Sequence, residues 1–248
     1  MTVEHSKACF EKSKYLLYQP YRGLHLAYHA KKFCFSRRSK YQQIDIIDND
    51  AYGRMLFLDH NLQHTSYDAE IFNEALCGPV KRNKIRRAIV LGGGSGQTLI
   101  SLLGSRVIEQ VTLVEIDPVL IEACKHHIRG ARRAFNDSRV KVHIADAFAY
   151  LHSTEEGFDA AIIDLTERPL RMRKTRSTLA QAYVDIRGKC GGRCSQYVGS
   201  SVDLASTRQF RSEVCKLSKR ILSRVEFEDV FIPSFGAPHT FVHAGFED

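Results

Sequence analysis

Gly92-Gly93-Gly94-Ser95-Gly96 follows an apolar run at residues 88–91 and precedes a helical pattern at 98–103. Glycines at such a place allow a tight turn, and without a Cβ they let a ligand approach the backbone closely. About 20 residues further on, the next apolar run ends in Glu115-Ile116-Asp117, where a carboxylate accepts hydrogen bonds from both hydroxyls of a ribose. The run after that ends in Ala145-Asp146-Ala147, where a side chain can meet an adenine amino group. Three successive strand ends with suitable chemistry predict a nucleoside site of Gly92, Gly94, Ser95, Glu115, Asp146 and Ala147. Plainer roles stay open: Glu115 and Asp117 also suit solvated strand ends, and Asp146 also suits a helix N-cap.

The obvious rival ligand is a dinucleotide. Its fingerprint, Gly-x-Gly-x-x-Gly, needs a third glycine so that a helix can pack over the pyrophosphate. Counted from Gly92 that position is Gln97, and counted from Gly94 it is Leu99. The turn therefore suits a nucleoside without a pyrophosphate, which favours an adenosyl sulfonium over NAD.

Such a site has to be held by alternating strands and helices. Short apolar runs at 88–91, 111–114, 140–144, 160–163 and 195–198 read as strands, with helices at 98–103 and 118–127. That alternation predicts an α/β fold, a Rossmann-like, methyltransferase-type doubly wound sheet, closed by a hairpin at 225–232 and 240–243. Residues 41–67 read as a β-hairpin or short meander, with Asp48-Asn49-Asp50 and Gly53 at its turn. A helix over 68–78 follows, with Asp68 as its N-cap and Gly78-Pro79 as its stop. The division expected is residues 1–67 as an N-terminal segment with a small β domain, and 68–248 as the nucleoside-binding catalytic domain.

A chain of 248 residues, 44% of them hydrophobic, is ample for one large core. No run of 18 apolar residues and no leader-like segment is present, so neither a membrane span nor secretion is expected. The seven cysteines are odd in number and irregularly spaced, and only Cys190 and Cys194 lie close together. Reduced thiols, a cytoplasmic location and no metal site are the reading. The net charge of +8 comes without any nucleic-acid motif, so nucleic acid is not an expected partner.

In chain order, further segments resemble the spermidine synthase family. Ser39-Lys40-Tyr41-Gln42 is similar to its S-x-Y-Q motif, and Leu58-Asp59 through Leu62-Gln63 to its L-D-G-x-x-Q hairpin. Gly92 to Gln97 resembles G-G-G-D-G-G, and Glu115-Ile116-Asp117 matches E-I-D. Asp137-Ser138-Arg139-Val140 with Asp146 resembles D-P-R-V…G-D. Asp164-Leu165-Thr166-Glu167-Arg168-Pro169 resembles D-S-S-D-P, and Pro233-Ser234-Phe235-Gly236 the late P-S-F-G segment. The resemblance implies transfer of an aminopropyl group from decarboxylated S-adenosylmethionine to an amine. The donor would be a co-substrate, with no permanently bound cofactor, and the enzyme a homodimer. It also implies Asp164 as base with Glu167 beside it, Gln42, Glu115 and Asp146 as holders of the nucleoside, and Gln63, Phe72, Asn73 and Phe235 at the substrate.

The departures from the family bear on the acceptor. Ser95 stands where the family's loop has an acid, Phe72 where it has an amine-orienting tyrosine, and Asn73 where it has Gln or His. Residues 168–176 carry five basic side chains, Arg168, Arg171, Arg173, Lys174 and Arg176, at the place of the family's gate. Cations there attract a carboxylate and repel a polyamine. An amino-acid-like acceptor thus stands beside a simple amine. A methyltransferase using S-adenosylmethionine itself is the alternative, and a non-catalytic ligand-binding homologue the second.

Overall fold

The computed structural model describes residues 15–21, 24–165, 175–202 and 205–246. Strands β1 (Tyr15–Tyr21) and β2 (Leu24–His29) pair as an antiparallel hairpin. Strands β3 (Lys32–Arg38), β4 (Gln43–Asn49), β5 (Gly53–Leu58) and β6 (Asn61–Thr65) form an antiparallel four-stranded sheet in that order. The meander expected over 41–67 is the last three of these strands; β1 to β3 lie where sequence patterning assigned nothing. At the β4–β5 turn the Asn49 side chain accepts from the backbone N–H groups of Ala51 and Tyr52, both at 2.9 Å. This is the local bonding that makes Asn a turn former. The unbroken apolar character of β4 has a packing cause. Ile44 and Ile46 face one hydrophobic cluster while Ile47 faces another.

Helix α1 spans Ala69–Arg82, starts after Asp68 as expected, and corrects the expected stop. It does not stop at Gly78-Pro79, because Pro79 is inside it and Asn83 N–H still reaches the Pro79 carbonyl at 3.1 Å. Leu76, Cys77 and Val80 are wholly buried, and the Ser195 hydroxyl donates to the Leu76 carbonyl at 2.5 Å. Tertiary packing of this kind overrides the local cost of a late proline. Asp68 occupies the N-cap position but its side chain makes no cap bond; its partners lie elsewhere, as described below.

The rest alternates β7 (Arg87–Gly92), α2 (Gln97–Leu103), β8 (Gln110–Glu115), α3 (Pro118–His127), α4 (Ala131–Phe135), β9 (Val140–Ile144), α5 (Ala147–Ser153), β10 (Ala160–Asp164), α6 (Thr175–Lys189), β11 (Cys194–Ser200) and α7 (Ala205–Ile221). Strand β12 (Glu226–Ile232), a single 3₁₀ turn (Pro233–Phe235) and β13 (Ala237–Ala244) complete the described chain. The seven-stranded sheet has the order β12-β13-β11-β10-β7-β8-β9. β7 to β11 are parallel and β12–β13 is the antiparallel closing hairpin, as expected. The direction of winding reverses between β7 and β10, where Gly92 is paired with Asp164. Ligands of open α/β sheets bind at such a switch point, beyond the carboxyl ends of the strands.

Helices α6 and α7 fill places where the sequence reading named no element. α6 buries Leu179, Ala182, Tyr183 and Ile186, an i, i+3, i+4, i+7 stripe, against a cluster that also holds Cys190 and Cys194. Burial pushes the Cys190 thiol up to about 12, so this pair behaves as apolar core. Among the described residues no helix is long and apolar enough to cross a membrane.

Candidate functional site

The carboxyl ends of β7, β8 and β10, the loop opening α5, and the facing β5–β6 hairpin with the start of α1 enclose a cavity of about 500 Å³. That size is ordinary for a small-molecule site. Gln42, Gln63, Phe72, Asn73, Gly92, Gly94, Ser95, Glu115, Asp146, Ala147, Asp164 and Phe235 all line it. Glu167 and the basic run of residues 168–176 lie outside the residues whose side chains are described.

The glycine loop is shaped by its neighbours. Gly92 has φ +88°, and a Cβ there would come within 2.3 Å of the Asp164 carbonyl oxygen. Gly93 N–H donates to that same oxygen at 3.0 Å, so the loop is tied to the end of β10. At Gly94 a Cβ would come within 2.8 Å of the Glu115 carboxylate, which instead accepts from Gly94 N–H at 3.1 Å and from Asp117 N–H at 3.0 Å. Gly92→Ala is therefore expected to destabilise the protein by about 1–3 kcal/mol through backbone strain alone. Thermal unfolding measures this, and a parent-like melting temperature would mean that the loop relaxes freely.

Glu115 is only 8% exposed, and burial pushes its pKa up to about 7 against the pull of those backbone donors. Asp117 separates from it in role. It is wholly buried, accepts at Oδ1 from Val119 N–H at 3.0 Å to cap α3, and accepts at Oδ2 from Ser39 Oγ at 2.7 Å and Gln42 Nε2 at 3.1 Å. The Ser39–Gln42 segment is thus anchored on Asp117, which fixes Gln42 at the cavity wall. Asp146 accepts from Ala149 N–H at 2.9 Å; it caps α5 with one oxygen and also lines the cavity.

Asp164 Oδ2 accepts from Thr98 Oγ1 at 2.5 Å. Burial raises its pKa and the Thr98 bond opposes that rise. Thr98 is a partner that sequence patterning placed only as the start of a helix.

Asp68 and His64 are among the wall residues that escaped the sequence reading as site residues. Asp68 is buried and accepts from Thr65 Oγ1 at 2.6 Å, Ser234 N–H at 2.7 Å and Ser234 Oγ at 2.9 Å. It fastens the end of β6 and the start of α1 to the 3₁₀ turn, which brings Phe235 to the wall beside Phe72, ring centroids 6.2 Å apart. His64 is the other. With Asp59, Asp68, Glu115, Asp146 and Asp164 the described lining carries five carboxylates and no Lys or Arg.

Comparison with known proteins agrees with this architecture. Residues 66–241 match the family model described as the spermine/spermidine synthase domain, and residues 15–66 the one described as the spermidine synthase tetramerisation domain. A polyamine aminopropyltransferase of Aeropyrum pernix is 30% identical over 220 residues, 87% of this chain and 70% of that protein. One from Sulfolobus acidocaldarius is 27% identical over 95% of this chain and 78% of its own length. Among solved structures, the spermidine synthase of Thermotoga maritima superimposes with a TM-score of 0.82 at 20% identity, covering 94% of this chain and 80% of that one. A spermidine synthase in complex with the transition-state analogue AdoDATO gives the same TM-score and identity, covering 94% and 81%.

Proposed function

Because the chain belongs to the spermine/spermidine synthase family, we propose that it transfers an aminopropyl group from decarboxylated S-adenosylmethionine to an amine. The observation that carries the reading is the cavity wall: five carboxylates, no Lys or Arg among the described residues, and Asp164 at the switch point beside the glycine loop. Such a wall attracts cations. It favours an amine over the acidic acceptor that Ser95 and the basic run suggest.

The residues divide the work. Glu115 accepts from the ribose hydroxyls, with Gln42 and Asp146 at the rest of the nucleoside. Gln63, Phe72, Asn73 and Phe235 bound the acceptor. The amine nitrogen attacks the carbon attached to the sulfonium: the new C–N bond forms as the C–S bond breaks, and its electrons return to sulfur. Methylthioadenosine leaves, and the proton on nitrogen passes to Asp164. Glu167 is the second acid of this step. The match of residues 15–66 to a tetramerisation domain supports an assembly larger than a dimer.

Methyl transfer from S-adenosylmethionine is the second reading, favoured by Ser95, which puts no charge where the two donors differ. Mass spectrometry of the spent nucleoside separates them. Methylthioadenosine is expected, and S-adenosylhomocysteine in its place would establish methyl transfer. Ser95→Asp should raise the preference for the decarboxylated donor by about tenfold or more, since both donors carry the ammonium but only S-adenosylmethionine carries a carboxylate, which an aspartate at this place would repel. An unchanged donor ratio would remove Ser95 from the donor site.

A further inference from the structure

His64 stands in the cavity wall because β6 is irregular. Phe57 is opposite Leu62 and Leu56 is opposite His64, so Gln63 is an extra residue in the pairing. In a regular strand neighbouring side chains face opposite sides, and a bulge re-aims them. Leu62 accordingly joins the apolar cluster of Met55, Phe57 and Phe235, while Gln63 and His64 both line the cavity.

The imidazole of His64 is more than nine-tenths buried, and among the described residues no hydrogen bond reaches its ring. Buried polar side chains are nearly always bonded, so a ring left open towards a cavity points to a ligand that completes it. Burial lowers the pKa of His64 to about 4, outweighing the opposing charge of Asp68. At neutral pH the ring is uncharged and one nitrogen is a lone-pair acceptor. The group that best satisfies that acceptor, on a wall of carboxylates, is an ammonium. Three of the roughly four acceptor sites of the Asp68 carboxylate are taken by Thr65 and Ser234, so the open nitrogen of His64 adds a second directional acceptor at this part of the wall.

We propose that His64 sets which amine the cavity takes, accepting a hydrogen bond from the unreacting ammonium of a diamine whose other end meets Asp164. This rests on the amine-acceptor reading above. It assigns His64 to specificity and not to the chemical step.

The test compares 1,4-diaminobutane with n-pentylamine, which replaces the far amine by a methyl group. In the parent protein the diamine should be preferred. His64→Leu should lower the ratio of kcat/KM values, diamine over monoamine, by about 10- to 100-fold, with the loss falling on the diamine. His64→Gln, whose amide oxygen accepts the same bond, should restore most of the ratio. Calorimetric affinities of the two amines, measured with methylthioadenosine present, give the ratio without turnover. An absence of aminopropyl transfer would therefore defeat the proposed function while His64 is still judged. Equal losses for both amines in His64→Leu, an unmoved ratio, or a His64→Gln protein as indiscriminate as His64→Leu would each overturn the proposal.

Discussion

Asp164→Asn should lower the rate of group transfer by about 10²-fold or more while nucleoside affinity and melting temperature stay near those of the parent protein. Asn keeps the shape of the side chain, and its oxygen still accepts the hydrogen bond from Thr98. What it loses is the negative charge and the capacity to take a proton. An alkylamine in water is mostly protonated at neutral pH, with a pKa near that of lysine, about 10.4, so a group that orients it and receives its proton governs the step. The pH profile carries the sign. As the proposed base, Asp164 must be ionised to act, and burial raises its pKa. The acid limb of kcat/KM for the amine, measured at saturating donor so that Glu115 does not contribute, should therefore lie above the usual aspartate range in the parent, and the part due to Asp164 should be lost in Asp164→Asn. Thr98→Val removes the bond that opposes the rise, so its acid limb should move further up. Parent-like turnover in Asp164→Asn would place the base elsewhere, with Glu167 the next candidate.

What the sequence made legible follows from how a parallel sheet is built. Its strands are buried on both faces and read as plain apolar runs. β7, β8 and β10 are such runs, and each ends at a residue whose chemistry stands out against them: Gly92, Glu115 and Asp164. The cavity lies where those ends meet, so reading the run ends located that side of its wall. The N-terminal strands lack that contrast. β3 is largely exposed and carries Lys32, Arg37 and Arg38, and the paired β1 and β2 mix aromatic, polar and apolar residues.

Local rules failed where distant partners decide. Asp68 precedes a helix and so reads as its cap, yet its carboxylate bonds Ser234, 166 residues away. Pro79 reads as a helix stop, yet buried side chains around it carry the helix one turn on. The bulge at Gln63 exists only as a mismatch between two strands. A single strand cannot announce it, and for that reason His64 carried no signal.

With Glu115 as the proposed ribose acceptor, Glu115→Ala should weaken nucleoside binding by about 1.5–3 kcal/mol, because two hydroxyls would lose a charged acceptor in a buried place. The unliganded carboxylate, with its pKa near 7, makes the effect depend on pH. Ribose hydroxyls donate to the ionised form, so binding favours loss of the Glu115 proton. Parent affinity should accordingly fall as pH drops from 8 to 6, with proton release on binding at pH 6, and Glu115→Gln should flatten that dependence. The free protein should respond in the opposite sense. A folded-state pKa raised from 4.5 to about 7 means that this group's contribution to stability is fully present below pH 4.5 and is lost as pH rises to 7. Glu115→Gln should thus raise the stability of the unliganded protein most at pH 8, by an amount on the order of 3 kcal/mol at most, while lowering its affinity for methylthioadenosine. Titration calorimetry and thermal unfolding at pH 6 and 8 decide the matter. A Glu115→Ala protein that binds methylthioadenosine as the parent does at pH 8 would remove this carboxylate from the donor site.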